Sequence, residues 1–245
     1  KMTHIKRELF TSRNILILLF LVFVFLRLFV SQPSILLTSD NLKFFEASRN
    51  FPFHTLYNGQ LYLLHPPFYP YAIHFFTLIF QGEYIAAIFI SLISSIATFF
   101  IIYKLFMMLT KNFNLTFFIL LFFTLSAELI TFSSTPLRES LVIMLILSSI
   151  YFYVKGVKLD DKKSIAYATI IGSILAITSD HVIFLFPALI LSYIFFNSKR
   201  IDFKRLNFPS LKYLVFPLFF VLLFYGSWTF IKFYQYSNAE YYPNG

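Results

Sequence analysis

The stretch "PPFYPYAIHFFTLIF", Pro66 to Phe80, is greasy enough for a bilayer but carries three prolines in fifteen residues. Crossing roughly 30 Å of hydrocarbon takes about 20 residues, so this segment is short for a span, and whether it crosses decides the side of every later residue. Charge separates the alternatives. If it stays on one face, Lys1, Lys6, Arg7, Arg13, Lys104, Lys111, Lys155, Lys158, Lys162, Lys163, Lys199, Arg200, Lys204, Arg205 and Lys212 share a side, fifteen of the twenty basic residues. That asymmetry is what cytoplasmic loops show. If it crosses, the later basic clusters part company with the first. The segment therefore reads as an outer surface or re-entrant element, with the amino terminus cytoplasmic.

Composition agrees with a membrane setting. A chain of 245 residues that is 58% hydrophobic, with 36 phenylalanines, cannot hide that surface in a soluble core. The net charge of +9 lies in short basic blocks between apolar runs, as expected beside anionic lipid and not for a nucleic-acid binder. With no cysteine, disulfides, thiolate metal sites and thiol nucleophiles are excluded. Six glycines and no glycine-rich loop argue against a nucleotide-sugar site.

Apolar runs predict helices near 14–32, 84–109, 114–133, 138–155, 164–179, 182–197 and 212–232. The fold class expected is an all-α integral membrane protein of about seven transmembrane helices, with a long first outer loop over 33–83 that contains interfacial helices. The first run follows a basic segment without a small-residue cleavage site and reads as a retained anchor. Within it, Arg27 is expected to snorkel to headgroups. Glu128, Glu139 and Asp180 fall on or beside apolar helices, where carboxylates usually line a polar cavity.

The outer loop begins with "SDNLKFFEASRN", Ser39 to Asn50, which sets Asp40, Lys43, Glu46 and Arg49 at steps of three. This pattern has a bland reading, a helix start at Ser39 and Asp40 followed by surface ion pairs. About twenty residues on comes "LYLLHPPFYPY". Together the two stretches resemble the first outer loop of the GT-C glycosyltransferases, in particular the protein O-mannosyltransferase and lipid A aminoarabinose transferase branch. There an acidic residue opens the loop and a His/Lys-Pro-Pro stretch closes it; Asp40, Phe44, Glu46 and Arg49 match the first pattern, and His65, Pro66, Pro67, Phe68 and Tyr69 the second. Leu64 departs from the aminoarabinose branch, which often carries an acid there.

The resemblance implies inverting transfer of a sugar from a polyprenyl-phosphate carrier to an acceptor hydroxyl on protein, lipid or glycan, at the outer membrane face. An acceptor hydroxyl needs a carboxylate to take its proton, which assigns Asp40 as general base. The departing phosphate needs cations; Lys43, Arg49, His65 and Arg138 are the outer candidates, with Glu46 and Glu139 beside them as further donor- or acceptor-binding residues. Arg138 and Glu139, in "STPLRESL", also suit a simple helix start at the headgroups. "TSDHV" reads first as a polar turn, although Asp180 and His181 are also the pair a divalent metal would use. The chain, 1–245, is expected to form one transmembrane module lacking the carboxy-terminal region found in relatives, either as the amino-terminal part of a longer protein or as a minimal module that works with partner membrane subunits. The alternative from another class is a non-catalytic GT-C-like scaffold that binds carrier lipid.

Overall fold

The structure is a computed structural model and describes residues 2–30, 39–50, 66–180, 185, 188–191 and 212–239. Regular structure among the described residues is helical: α1 Met2–Val30, α2 Ser39–Arg49, α3 Phe68–Phe80, α4 Glu83–Thr110, α5 Phe113–Leu125, α6 Ala127–Ser134, α7 Glu139–Leu159, α8 Lys162–Ala176 and α9 Lys212–Ala239. Three stretches, Ser12–Phe29, Glu83–Thr110 and Glu139–Leu159, are long and apolar enough to cross a membrane. The pair α5 and α6, bent by 60°, forms a fourth if it is one broken span. The all-helical membrane class stands. Of the remaining predicted spans, α8 is 15 residues long, Pro217–Ile231 within α9 is apolar but short, and 182–197 falls largely outside the described residues.

The proline-rich stretch explains itself once folded. Pro67 offers its carbonyl to the Tyr71 amide (3.2 Å), so Pro66 and Pro67 precede helix α3 and Pro70 lies in its first turn. None of those positions needs an amide proton. At 1.5 Å per residue the 13 residues of α3 reach only about 20 Å, short of a crossing. Tight turns join the helices: Gln81, Lys111 and Asp160 adopt left-handed backbone (φ 56°, 53° and 54°) where chains usually place glycine.

The helices group into two units, residues 1–48 with 72–144, and residues 49–71 with 145–245. In the first, α1 and α4 both pack on α5 and α6. Small polar residues of α4, Ser91, Ser94, Ser95 and Thr98, form a buried stripe at helical spacing that permits close helix approach. Phe20, Phe23, Phe99 and Phe123 fill the remaining space, with Phe23 centred 5.0 Å from Phe99 and 5.7 Å from Phe123. In the second unit α8 lies on α9: a Cβ on Gly172 would meet Val221 Cγ2 at 2.8 Å, so the approach requires glycine.

Arg27 overturns its expected role. Its side chain is fully buried and reaches inward, not toward headgroups. Nε donates to Ser95 Oγ (2.9 Å), Nη1 to the Phe23 and Thr124 carbonyls (3.4 Å each) and Nη2 to the Phe123 carbonyl (3.2 Å), while the guanidinium carbon sits 3.5 Å from the Phe23 ring centroid. The last carbonyls of a helix have no donor of their own, and near the end of α5 those of Phe123 and Thr124 belong to buried residues. Arg27 supplies the missing donors, and the predicted single helix over 114–133 becomes two. The same break leaves Glu128 exposed in the first turn of α6, outside any enclosed cavity.

Replacing Arg27 by Leu strands two buried carbonyls and a serine hydroxyl, and relieves the desolvation of one charge. The stranded groups, at about 1 kcal/mol each in a membrane protein, outweigh the relief because cation–π contact and carbonyl dipoles already stabilise the charge. Arg27→Leu should therefore lower stability by about 2 kcal/mol, read as an earlier thermal transition in detergent.

Asp161 caps α8 in the second unit, accepting from the Ser164 hydroxyl (2.7 Å) and the Lys163 amide (3.0 Å). These bonds, the Ser164 hydroxyl first, hold its carboxyl below the ordinary value of 3.8, with Lys155 assisting against partial desolvation. A depressed carboxylate contributes stability above its unfolded pKa, and the contribution is lost as pH falls through the folded pKa. Asp161→Ala should consequently be less stable than the parent at pH 6, with the gap closing below about pH 4, measured by thermal unfolding across pH.

Candidate active site

Helix α2 starts at Ser39 and Asp40, which favour helix beginnings, and ends with Arg49 in its last turn, where a cation complements the dipole. Asn41, Phe44, Phe45 and Ser48 are buried, the i, i+3, i+4, i+7 pattern of a docked helix, while Leu42 on the opposite side is exposed. At about 100° per residue, charges spaced by three drift round the helix by about 60° a step. Asp40, Lys43, Glu46 and Arg49 thus share no single face: Lys43 and Glu46 are half-buried and Arg49 is exposed. Asp40 stands one turn before Phe44, close to the docked side of the helix; its backbone is described, its side chain lies outside the described set.

One neighbour of α2 in the first unit is the turn between α6 and α7. Its backbone is tied down bond by bond. Thr135 Oγ1 donates back to Thr131 (2.7 Å), the Leu137 amide closes across Pro136 onto Thr135 (2.8 Å), and the Val142 amide begins α7 on the Arg138 carbonyl (3.0 Å). From α4, the Ser91 hydroxyl reaches the Leu137 carbonyl (2.8 Å).

This framework presents Arg138. Its guanidinium carbon lies 5.7 Å from the Phe44 ring centroid, within cation–π range, so the turn and α2 meet. Arg138 Nε is 3.9 Å from Glu139 Oε1, too far for a hydrogen bond, and the side chains are 11% and 34% exposed. Arg138 Nη1 and Glu139 Oε2 are both buried, and among the described residues neither has a hydrogen-bond partner. A buried guanidinium nitrogen left open in this way costs about 1–3 kcal/mol. An anion brought to it would recover that energy.

The structure thus brings Arg138 and Glu139 to the helix that carries Asp40, Lys43 and Glu46. Asp180, half-buried, belongs to the other unit, and His65 and His181 lie outside the described residues. Among the described residues no three His, Asp or Glu side chains converge as a metal site. Two contributors escaped sequence reasoning. Ser91 was signalled by the Ser/Thr stripe of α4, and His74, whose Nδ1 lies 2.9 Å from the Ser48 carbonyl at the end of α2, was hidden in an apolar run.

A family model described as dolichyl-phosphate-mannose-protein mannosyltransferase matches residues 64–228, well over half of the chain. The chain belongs to that family. Neither a search of curated proteins nor one of solved structures found a match. The region matched to the mannosyltransferase family contains Pro66 to Tyr69, the α4 stripe, Arg138, Glu139 and Asp180, and starts after α2. The protein is accordingly a membrane protein of a glycosyltransferase family whose donor is a dolichyl-phosphate-linked sugar.

Ser91 should hold the turn closed. Ser91→Ala removes one bond worth about 1 kcal/mol, and the segment should open about fivefold more often. Trypsin cleavage after Arg138 in detergent should accelerate by that factor.

Proposed function

We propose that this protein transfers a sugar from a polyprenyl-phosphate carrier to an acceptor hydroxyl with inversion, at the non-cytoplasmic face, with Asp40 as general base and Arg138 as the phosphate-binding cation. The observation that carries the reading is the buried Arg138 Nη1, partnerless among the described residues and set beside the helix of Asp40. The family name supplies the donor and acceptor classes, mannose on dolichyl phosphate and a protein hydroxyl. The concentration of basic residues in the loops assigned inside supports the outer location of α2 and the Arg138 turn.

In this mechanism the acceptor oxygen attacks the anomeric carbon as its proton passes to Asp40. The bond from that carbon to the phosphate oxygen breaks in the same displacement, which inverts the anomeric centre and releases the lipid phosphate with added negative charge. That charge develops near Arg138. A preset, poorly solvated donor counts most there, because its interaction grows between ground state and transition state. Lys43, half-buried on α2, adds a second cation, and Glu139 orients the guanidinium from 3.9 Å.

The test is transfer from polyprenyl-phosphate mannose to a hydroxyl-bearing peptide in membranes holding the parent chain or a variant at matched abundance. Asp40→Asn should cut turnover by about 10² to 10³, the range for a positioned base. Arg138→Gln should cut it by about 10², with Arg138→Lys intermediate because the forked donor geometry is lost. Unchanged transfer in Asp40→Asn removes Asp40 as base; absence of transfer with any lipid-linked sugar turns the reading to a carrier-binding scaffold.

A further inference from the structure

Helix α2 has an end that lacks its ordinary i+4 amide donor. The carbonyl of Ser48 would ordinarily accept from the amide four residues on, but that residue is Pro52, which has no amide proton. Ser48 is buried, so water is not at hand to replace the donor. The Ser48 hydroxyl is committed elsewhere, to the Phe45 carbonyl at 2.7 Å. The replacement comes from α3: His74 Nδ1 lies 2.9 Å from the Ser48 carbonyl oxygen. Since a carbonyl only accepts, Nδ1 carries the proton, which sets the imidazole tautomer.

We infer that His74 is a positioning residue that fixes where α2 stops, and through α2 sets the place of the helix that carries Asp40 and Lys43 relative to Arg138. The geometry makes the coupling specific. Ser48 and Phe44 are one turn apart on the docked face of α2, so the bond from His74 and the contact with Arg138 grip the same stripe at successive turns. A slip of α2 by one residue would translate it about 1.5 Å and rotate it by about 100°. That would carry Phe44 out from under Arg138 and take Asp40 with it. His74 touches neither reacting group in this scheme; it acts through the helix end.

The inference rests on the proposed role of α2 in transfer, and the experiment separates the two. The full chain in lipid nanodiscs is compared as parent, His74→Leu, His74→Asn and His74→Gln. The side-chain nitrogen of Asn stands at the same bond count from Cβ as Nδ1, whereas that of Gln is one bond further. Amide exchange of residues 39–49 should quicken about fivefold to tenfold in His74→Leu and His74→Gln and return toward the parent in His74→Asn. Sugar transfer should follow, with kcat down about tenfold or more in His74→Leu and KM for the lipid donor within about twofold, because alignment and not donor binding is lost.

Parent-like exchange in His74→Leu, or equal loss in Leu and Asn variants, overturns the inference. A His74→Leu chain too unstable to purify leaves the Asn and Gln pair to decide it, since both are polar and differ only in reach. If exchange behaves as stated but Asp40→Asn transfers sugar normally, the catalytic reading of α2 falls while the cap by His74 stands.

Discussion

The buried fork of Arg27 is the interaction on which the first unit depends. One guanidinium ties α1 to the α4 stripe through Ser95 and to the end of α5 through the carbonyls of Phe123 and Thr124. Without those donors the α5 to α6 break would leave carbonyls unsatisfied in a low-dielectric interior, which a membrane protein cannot tolerate cheaply. The break aims α6 away by 60°, and α6 leads directly into the turn that holds Arg138. A charge placed in an apolar helix is therefore a structural joint, and the candidate site stands downstream of it.

Local pattern made most helices legible, because a run of apolar residues about as long as the bilayer is thick has few other uses. The helices predicted near 84–109 and 138–155 appear as Glu83–Thr110 and Glu139–Leu159. The break at Ser126 was not legible. No proline or glycine marks it, the only local signs are Ser126 and Glu128 at the start of α6, and its enabling donor lies 96 to 97 positions away in α1. Arg27 was misread for the same reason: snorkelling follows from its distance to the helix end, whereas burial follows from what packs beside it.

The site shows the same division. The charges of "SDNLKFFEASRN" drew attention to α2, yet they are not what docks it. Its Asn41, Phe44, Phe45 and Ser48 stripe does so, and Phe44 meets an arginine from a distant turn. Arg138 and Glu139 were named from their position at a helix mouth, which is local information; their meeting with α2 is not. His74 shows the limit most plainly, because an isolated histidine among phenylalanines carries no periodic signal, and only the missing amide of Pro52 gives it a task.

Two arginines in the first unit differ in what their guanidinium groups meet. Arg27 spends its fork on a hydroxyl and three carbonyls, and its contacts would gain little from any ligand. Arg138 is nearly as enclosed, but its nearest carboxylate oxygen is 3.9 Å away, and among the described residues its Nη1 meets no acceptor. Folding alone favours filling such a vacancy, since a partner or a hydrophobic replacement would be more stable. A turn whose backbone is held through Thr135, Leu137, Ser91 and Val142 while Arg138 Nη1 is left open among the described residues holds energy that an incoming anion can release. A phosphate whose charge increases as its sugar departs gains most from that arrangement, because the donor is already desolvated and aimed when the charge appears.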